Sequence, residues 1–84
     1  MKQVTIYTTP TCPYCLRAKE LLSSLEIPFT EVDVASNPTK RQEIIEQHHW
    51  MTVPAIFVGD ELIGGYDDLA ELHSNGTLVE RLDS

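Results

Sequence analysis

Stretches with a hydrophobic period of two alternate along this chain with stretches of period 3.6, and proline or glycine residues separate them. A period of two is typical of a strand, and a period of 3.6 is typical of an amphipathic helix. The chain has only 84 residues. It can therefore bury only a small core, about 60% of the surface that the unfolded chain exposes. We expect a single α/β domain over residues 1–84.

The first half of the chain predicts two strands around a helix. A β-branched and aromatic run over residues 4–8 predicts the first strand, and residues 29–34 predict the second. Apolar residues at the spacing i, i+3, i+4, i+7 predict a helix between them: Ala18, Leu21, Leu22 and Leu25, with Leu16 extending the stripe towards Cys15. Pro13 suits the first turn of this helix, where its missing N–H is not needed.

The second half predicts a helix, a hairpin and a last helix. Ser36 or Asn37 can cap the second helix, with Pro38 in its first turn and Ile44, Ile45 and His48 on one side. Residues 55–58 and 61–64 predict strands joined by a tight turn. Asp67 or Asp68 is expected to cap the last helix. Three apolar residues near its end are expected to pack on the core: Leu78, Val79 and Leu82.

The predicted order is β-α-β-α-β-β-α. The first two strands are joined through a helix and should be parallel, with a right-handed crossover. The hairpin makes the last two strands antiparallel. We therefore predict a four-stranded mixed sheet with helices on both faces.

The charge balance excludes several classes of function. Six Lys and Arg face 13 Asp and Glu, for a net charge of −7. This balance argues against general nucleic-acid binding and against docking on anionic membranes. The apolar runs are far shorter than the ~18 residues of a membrane span, and the N-terminal residues do not look like a signal peptide. We expect a cytoplasmic monomer without a nucleic-acid or membrane partner.

The chemistry of the chain is expected at its two cysteines, Cys12 and Cys15. A C-x-x-C pair between a strand and a helix is typical of a dithiol redox motif. Cys12 falls at the start of the helix, where free N–H groups and the macrodipole favour a thiolate. Cys15 follows about one turn later, within reach of a mixed disulfide at Cys12. We predict that Cys12 is the nucleophile and Cys15 the resolving thiol.

Two structural interpretations of the cysteine pair stay open at this point. One is an inert buried pair, although a bridge across so short a loop stabilises little. The other is a zinc site, which usually needs four ligands. Only His48, His49 and His73 could join the cysteines, and the first two point about 100° apart on a helix. The residues therefore favour redox chemistry and no metal.

Three motifs in order make the chain resemble the glutaredoxins, small dithiol proteins of the thioredoxin-like fold. They are Cys12-Pro13-Tyr14-Cys15, Thr52-Val53-Pro54 and the run from Gly64 to Leu69. The resemblance covers nearly the whole chain. It implies an oxidoreductase that reduces protein disulfides and protein–glutathione mixed disulfides, with a redox-active Cys12–Cys15 disulfide. Glutathione would be its reductant, with no tightly bound cofactor.

The resemblance also implies a glutathione-binding site. Pro54 is expected to be cis, so that the backbone of Val53 faces the cysteinyl part of glutathione. The segment Gly65-Tyr66-Asp67-Asp68 is expected to bind the γ-glutamyl end, where a helix N-terminus meets a carboxylate and an aspartate meets the ammonium group. Tyr14 should border the ligand, and Arg41 is the candidate for the glycyl carboxylate. The implied set is Tyr14, Arg41, Thr52, Val53, Pro54, Gly65, Tyr66, Asp67 and Asp68.

Two positions depart from the family pattern. Thr9 stands where many members have a lysine, and Tyr66 stands where many have a cysteine. The first departure leaves Arg17, Lys19, Lys40 and Arg41 as the cations that could act near the site. Trp50 is expected to pack in the core or a loop.

Two other functions are compatible with a C-x-x-C chain of this size. One is a thioredoxin-like electron donor that is reduced by a flavoprotein reductase. The other is a module that carries an iron–sulfur cluster through thiolate ligands. The Pro13-Tyr14 pair disfavours both, and the segment from Gly65 to Asp68 disfavours the first.

Overall fold

The computed structural model of the protein describes residues 2–50 and 52–83. Four strands and four helices follow one another in the order β-α-β-α-β-β-α-α. Their bounds are β1 Val4–Thr8, α1 Pro13–Ser24, β2 Phe29–Asp33, α2 Pro38–His48, β3 Ala55–Val58, β4 Glu61–Gly64, α3 Tyr66–Ser74 and α4 Leu78–Asp83. The predicted order is confirmed, and the C-terminal apolar residues form a separate short helix after it.

The sheet is mixed, as predicted, with the strand order β2-β1-β3-β4. β1 and β2 pair in parallel, with Val4 opposite Phe29, whereas β3 runs antiparallel to both β1 and β4. Because β1 and β2 are parallel, their C-terminal ends meet at one edge of the sheet. The loop that carries Cys12 leaves β1 at this edge, so the chemistry lies above the ends of two strands.

Helices cover both faces of the sheet. On one face, α1, α3 and α4 pack on β1 and β3 around a core that includes Ile6, Leu22, Ile56 and Leu69, each at most 1% exposed. On the other face, the His48 ring of α2 lies edge-on to Phe57, with the ring centroids 5.0 Å apart. The sheet therefore lies between helices on both faces, and the loop that carries Cys12 follows a buried strand.

Two apolar residues that we predicted on the core face are exposed. Leu16 is 54% exposed and Val79 is 63% exposed. At 100° per residue, Leu16 lies about 160° from Ala18, on the opposite side of α1. In α4, the buried positions Leu78 and Leu82 are four residues apart, which turns Val79 towards solvent. The prediction was wrong at both positions, because the angular position of a residue on its helix decides whether an apolar side chain faces the core.

Two predicted boundaries also differ from the structure. β2 ends at Asp33, although Val34 still donates a backbone hydrogen bond to Thr8. The N-cap of α3 is Gly65, not Asp67 or Asp68. Asp68 instead reaches back, and its Oδ2 accepts from the backbone N–H of Gly65 at 3.0 Å. For α2 the prediction is confirmed, because Asn37 is the N-cap and its Oδ1 accepts from the N–H of Lys40.

The described helices are too short or too polar to cross a lipid bilayer, in residues 2–50 and 52–83 alike.

Candidate active site

Cys12 is the N-cap residue of α1, and its sulfur is held by the helix that it starts. Its backbone is extended, and Pro13 follows in the first turn. The Cys12 Sγ accepts from the backbone N–H of Cys15 at 3.2 Å. Its thiol also lies 3.6 Å from the carbonyl oxygen of Val53, to which it donates. The Cys12 sulfur is therefore half-buried at the start of α1, between a backbone donor of the first turn and the carbonyl of Val53.

Cys15 lies in a different environment one turn later. Its side chain is 2% exposed. Burial, with the hydrogen bond to Cys12 as the second cause, raises the pKa of the Cys15 thiol from 9.0 to about 12. Both cysteines are free thiols in this structure. The pair is therefore unequal, with a partly accessible sulfur at the helix start and a buried neutral thiol behind it.

One side of Cys12 opens into a recess of about 690 Å³, which we call the thiol groove. It is lined by Thr8, Thr9, Pro10, Thr11, Cys12, Pro13, Cys15, Leu16, Lys19, Glu31 and Asp33. Lys19 Nζ donates to Glu31 Oε2 at 2.9 Å, and the hydroxyl of Thr8 donates to the same oxygen at 2.7 Å. These two donors, Lys19 first, lower the pKa of Glu31.

The other recess, of about 260 Å³, lies beyond Val53, and we call it the proline pocket. It is lined by Tyr14, Trp50, Thr52, Val53, Pro54, Gly65, Tyr66, Asp67 and Asp68. The structure thus brings eight of the nine residues of the implied glutathione site around one pocket. The Val53–Pro54 peptide bond is cis, as expected. The Cys12 sulfur lines the thiol groove and donates to the carbonyl of Val53, which lines the proline pocket.

The turn before α3 depends on Gly64. Its φ of 122° is a conformation that favours glycine, and a Cβ at this position would overlap the carboxylate of Asp68. Asp68 can therefore reach Gly65 and hold the first turn of α3 at the pocket. The remaining N–H groups of this turn make a helix N-terminus that suits an anionic ligand.

Aromatic and cationic side chains border the proline pocket. The rings of Tyr14 and Tyr66 lie 6.3 Å apart between centroids, and the guanidinium of Arg17 lies 5.3 Å from the Tyr14 ring centroid. Tyr14 is 53% exposed. Arg41 is the one implied residue outside this pocket. It lines a small neighbouring cavity that shares Trp50, Thr52 and Val53 with it, and its contact with a carboxylate stays a prediction.

Sequence reasoning missed the contributions of Thr8, Glu31 and Gly64. Thr8 and Glu31 come near the ends of the two parallel strands next to the Cys12 loop, and that placement was a usable signal. Gly64 precedes a second glycine, which marked a turn without showing the close approach of Asp68. Trp50 was assigned to packing, and it also forms part of the wall of the proline pocket. Across residues 2–50 and 52–83, no group of three or more His, Cys, Asp and Glu side chains is placed to hold a metal ion.

Comparison with known proteins agrees with this geometry. The family model described as Glutaredoxin matches residues 4–63. The chain belongs to the glutaredoxin family. It is 49% identical to Glutaredoxin 3 of Escherichia coli K12 over 78 residues, which cover 93% of this chain and 94% of that protein.

Solved glutaredoxins share the fold. The solution structure of a glutaredoxin from Brucella melitensis is 44% identical, covers 98% of this chain and 89% of its own, and gives a TM-score of 0.85. A buckwheat glutaredoxin–glutathione complex is 26% identical, covers 98% and 77% respectively, and gives a TM-score of 0.90. The fold of this glutaredoxin is therefore thioredoxin-like.

This glutaredoxin is an enzyme, a glutathione-dependent thiol oxidoreductase with a Cys12/Cys15 dithiol. Members of its family use glutathione as the reductant. The flavoprotein-reduced electron donor and the iron–sulfur module are not favoured by these comparisons.

Proposed function

We propose that the enzyme reduces protein disulfides and protein–glutathione mixed disulfides, with Cys12 as the attacking thiolate and Cys15 as the resolving thiol. The observation that carries the proposal is the position of the Cys12 sulfur. It caps α1, accepts from the N–H of Cys15, and donates to the carbonyl of Val53, a wall residue of the proline pocket. The sulfur thus lies within one hydrogen bond of the pocket wall as well as next to the second thiol.

The first step is attack by the Cys12 thiolate on a substrate disulfide. The helix N-terminus stabilises the negative charge on the sulfur before the attack. A new bond forms between Cys12 and one substrate sulfur, the substrate S–S bond breaks, and the departing thiolate takes up a proton. With a glutathionylated protein, the product is reduced protein and glutathione bound to Cys12.

Glutathione occupies the proline pocket in this proposal. Its cysteinyl backbone would pair with the backbone of Val53, as an added strand pairs with a sheet edge. Its γ-glutamyl carboxylate would meet the N-terminus of α3, and its ammonium group would meet an aspartate of the Asp67-Asp68 pair. The match to a glutaredoxin solved in complex with glutathione supports this placement.

Two routes lead back to the dithiol. In the monothiol route, a second glutathione attacks the mixed disulfide at Cys12 directly. In the dithiol route, Cys15 attacks Cys12, and two glutathione molecules then reduce the Cys12–Cys15 disulfide. Cys15 is only 2% exposed, so its thiol cannot contact a protein substrate. The sulfur that it can attack is that of Cys12, one helical turn before it.

Two cysteine variants test the assignment. Cys12→Ser should abolish turnover of a small glutathione mixed disulfide, because serine supplies no thiolate. Cys15→Ser should keep that activity through the monothiol route and lose most reduction of intramolecular protein disulfides. The assay is glutathione-coupled turnover of both substrates. Activity retained in Cys12→Ser would contradict the proposed roles.

We propose the cytoplasm as the location and a monomer as the working form. A dithiol that is returned to its reduced form by glutathione works in a compartment that keeps cysteines reduced. A monomer leaves both recesses beside Cys12 open to glutathione and to a protein substrate. Sedimentation of the reduced protein at assay concentration tests the second point, and a dimer that covers Cys12 would contradict it.

A further inference from the structure

The thiol groove holds an ion pair beside the buried cysteine. Lys19 follows Cys15 by four residues, so the two side chains are neighbours on one face of α1. Lys19 donates to Glu31, which comes from β2 across the groove. The two side chains are 31% and 40% exposed, so solvent screens the pair only in part.

Thr8 fixes the carboxylate of this pair. It is 2% exposed, and its hydroxyl donates to the same Glu31 oxygen that accepts from Lys19. Glu31 is therefore held from the sheet side as well as from the helix side. Because both donors lower the pKa of Glu31, it is a carboxylate at neutral pH, and it opposes the charge of Lys19 at a fixed position.

The charged groups that line the groove are few. On α1 the charged group is Lys19, and on β2 they are Glu31 and Asp33. Asp67 and Asp68 of α3 line the proline pocket instead. Among the described residues, Lys19 is the one cation that lines the thiol groove.

We propose that the Lys19–Glu31 ion pair sets how fast Cys15 resolves a mixed disulfide at Cys12, with Lys19 promoting the attack and Glu31 opposing it. The inference rests on the dithiol route of the proposed function. In that step the Cys15 thiol loses its proton to water, and its sulfur bonds to Cys12. The bond from Cys12 to glutathione breaks, and the released glutathione thiolate takes up a proton.

The buried position makes this step sensitive to a nearby charge. In the reduced protein, burial and the hydrogen bond to Cys12 raise the pKa of the Cys15 thiol to about 12. Burial remains when Cys12 is in a mixed disulfide, so it still raises the pKa of Cys15 and keeps most of this thiol protonated at neutral pH. The ammonium group of Lys19 favours the thiolate, and a carboxylate paired with that group weakens its effect. A lower thiol pKa raises the thiolate fraction tenfold per unit but also makes the thiolate less nucleophilic. The net gain is therefore roughly threefold per unit.

The test compares two variants that remove opposite charges. Lys19→Met keeps most of the aliphatic stem and should slow resolution about threefold, whereas Glu31→Gln should accelerate it about threefold, values typical of a partly exposed pair. The reduced protein is mixed with oxidised glutathione and quenched in acid at set times. Mass spectrometry then follows the glutathionylated species as it converts to the internal disulfide.

The direction of the two changes separates electrostatics from structure. Loosening of the groove would change the resolution rate of both variants in the same direction. The proposal requires rates that change in opposite directions, and an intermediate rate in the double variant. The pH profile of the resolution rate should move to lower pH in Glu31→Gln and to higher pH in Lys19→Met. Both shifts should shrink at 1 M salt, because salt screens a partly exposed pair.

A second surface ion pair supplies the matched controls. Arg81 of α4 pairs with Glu61 of β4, away from the groove. Arg81→Met and Glu61→Gln should leave the resolution rate unchanged. Equal rates in Lys19→Met and Glu31→Gln, or changes of the same sign, would overturn the inference while leaving the proposed function intact. If the wild type accumulates the glutathionylated species as Cys15→Ser must, the dithiol route fails and the inference fails with it.

Discussion

The two recesses beside Cys12 are made of different chemical groups. The proline pocket is built around backbone, with the Val53–Pro54 peptide on one wall and the first turn of α3 on the other. The thiol groove has side-chain charges at its far wall, where Lys19, Glu31 and Thr8 meet. Backbone groups offer a fixed pattern of donors and acceptors, whereas charged side chains adjust the reactivity of a neighbouring thiol.

Under the proposed function, this difference suits the two recesses to separate tasks. A ligand common to every catalytic cycle, such as glutathione, suits a pocket in which the chain path itself makes the contacts. The reaction rate of a thiol depends on the charges near it, so a groove lined by charged side chains suits the control of that rate. Substitutions that alter the chain path should therefore damage the proline pocket most, and charge substitutions should act mildly on the thiol groove.

The largest effect is expected at Gly64. Gly64→Ala forces a Cβ into the carboxylate of Asp68 at a positive φ, which should cost about 3 kcal/mol of unfolding free energy. Activity with glutathione should fall with it, because the first turn of α3 moves. Gly76→Ala is the matched control. It also has a positive φ but open space around its Cβ, and should cost only about 1 kcal/mol. Equal losses in urea unfolding would contradict the role of Asp68.

A smaller effect on binding is expected at Asp68. Asp68→Asn keeps an oxygen that can accept from Gly65 but removes the charge. The KM for glutathione should rise about tenfold, the equivalent of one charge-assisted hydrogen bond, with little change in kcat. Asp60→Asn in the β3–β4 turn removes a charge away from the pocket and serves as the control. An unchanged KM would exclude Asp68 from the contact with the ammonium group.

The burial of Cys15 predicts a loss of stability at alkaline pH. The unfolded thiol loses its proton near pH 9.0, whereas the folded thiol keeps it to about pH 12. Between these values the unfolded state binds fewer protons, so the free energy of unfolding falls as the pH rises. Between pH 8 and pH 10, the reduced wild type should lose about 1 kcal/mol more than Cys15→Ala. Parallel pH dependences in urea unfolding would show that Cys15 is not desolvated.

The smallest effect is expected at Thr8. Thr8→Val removes the hydroxyl that donates to Glu31 and should cost about 0.5–1 kcal/mol, because Glu31 keeps Lys19 and solvent as partners. Thr5→Val, on the same strand but without a side-chain hydrogen bond to Glu31, should be close to neutral. The measurement is thermal unfolding of both variants at pH 7. An equal loss of stability in Thr5→Val and Thr8→Val would show that the hydrogen bond from Thr8 to Glu31 does not stabilise the protein.

The sequence by itself determined the elements of the fold and the identity of the reactive pair. Hydrophobic period, the Asn37 cap and the proline positions are local signals, and they predicted the strands and helices in their correct order. Cys12 and Cys15 were recognisable because their spacing and their place after a strand depend on neighbouring residues alone. Leu16 and Val79 mark the limit of this reasoning. Their apolar side chains predicted burial, but their angular positions on the helices turn them towards solvent.

Only the tertiary structure decided how the two cysteines differ and what surrounds them. The burial of Cys15, the reach of Asp68 back to Gly65, and the meeting of Thr8, Lys19 and Glu31 join residues from separate elements. Such contacts depend on strand register and helix packing, which a single sequence does not encode locally. The chain thus carries its reactive groups as a local motif, while the packing of α1 against the sheet decides their reactivity.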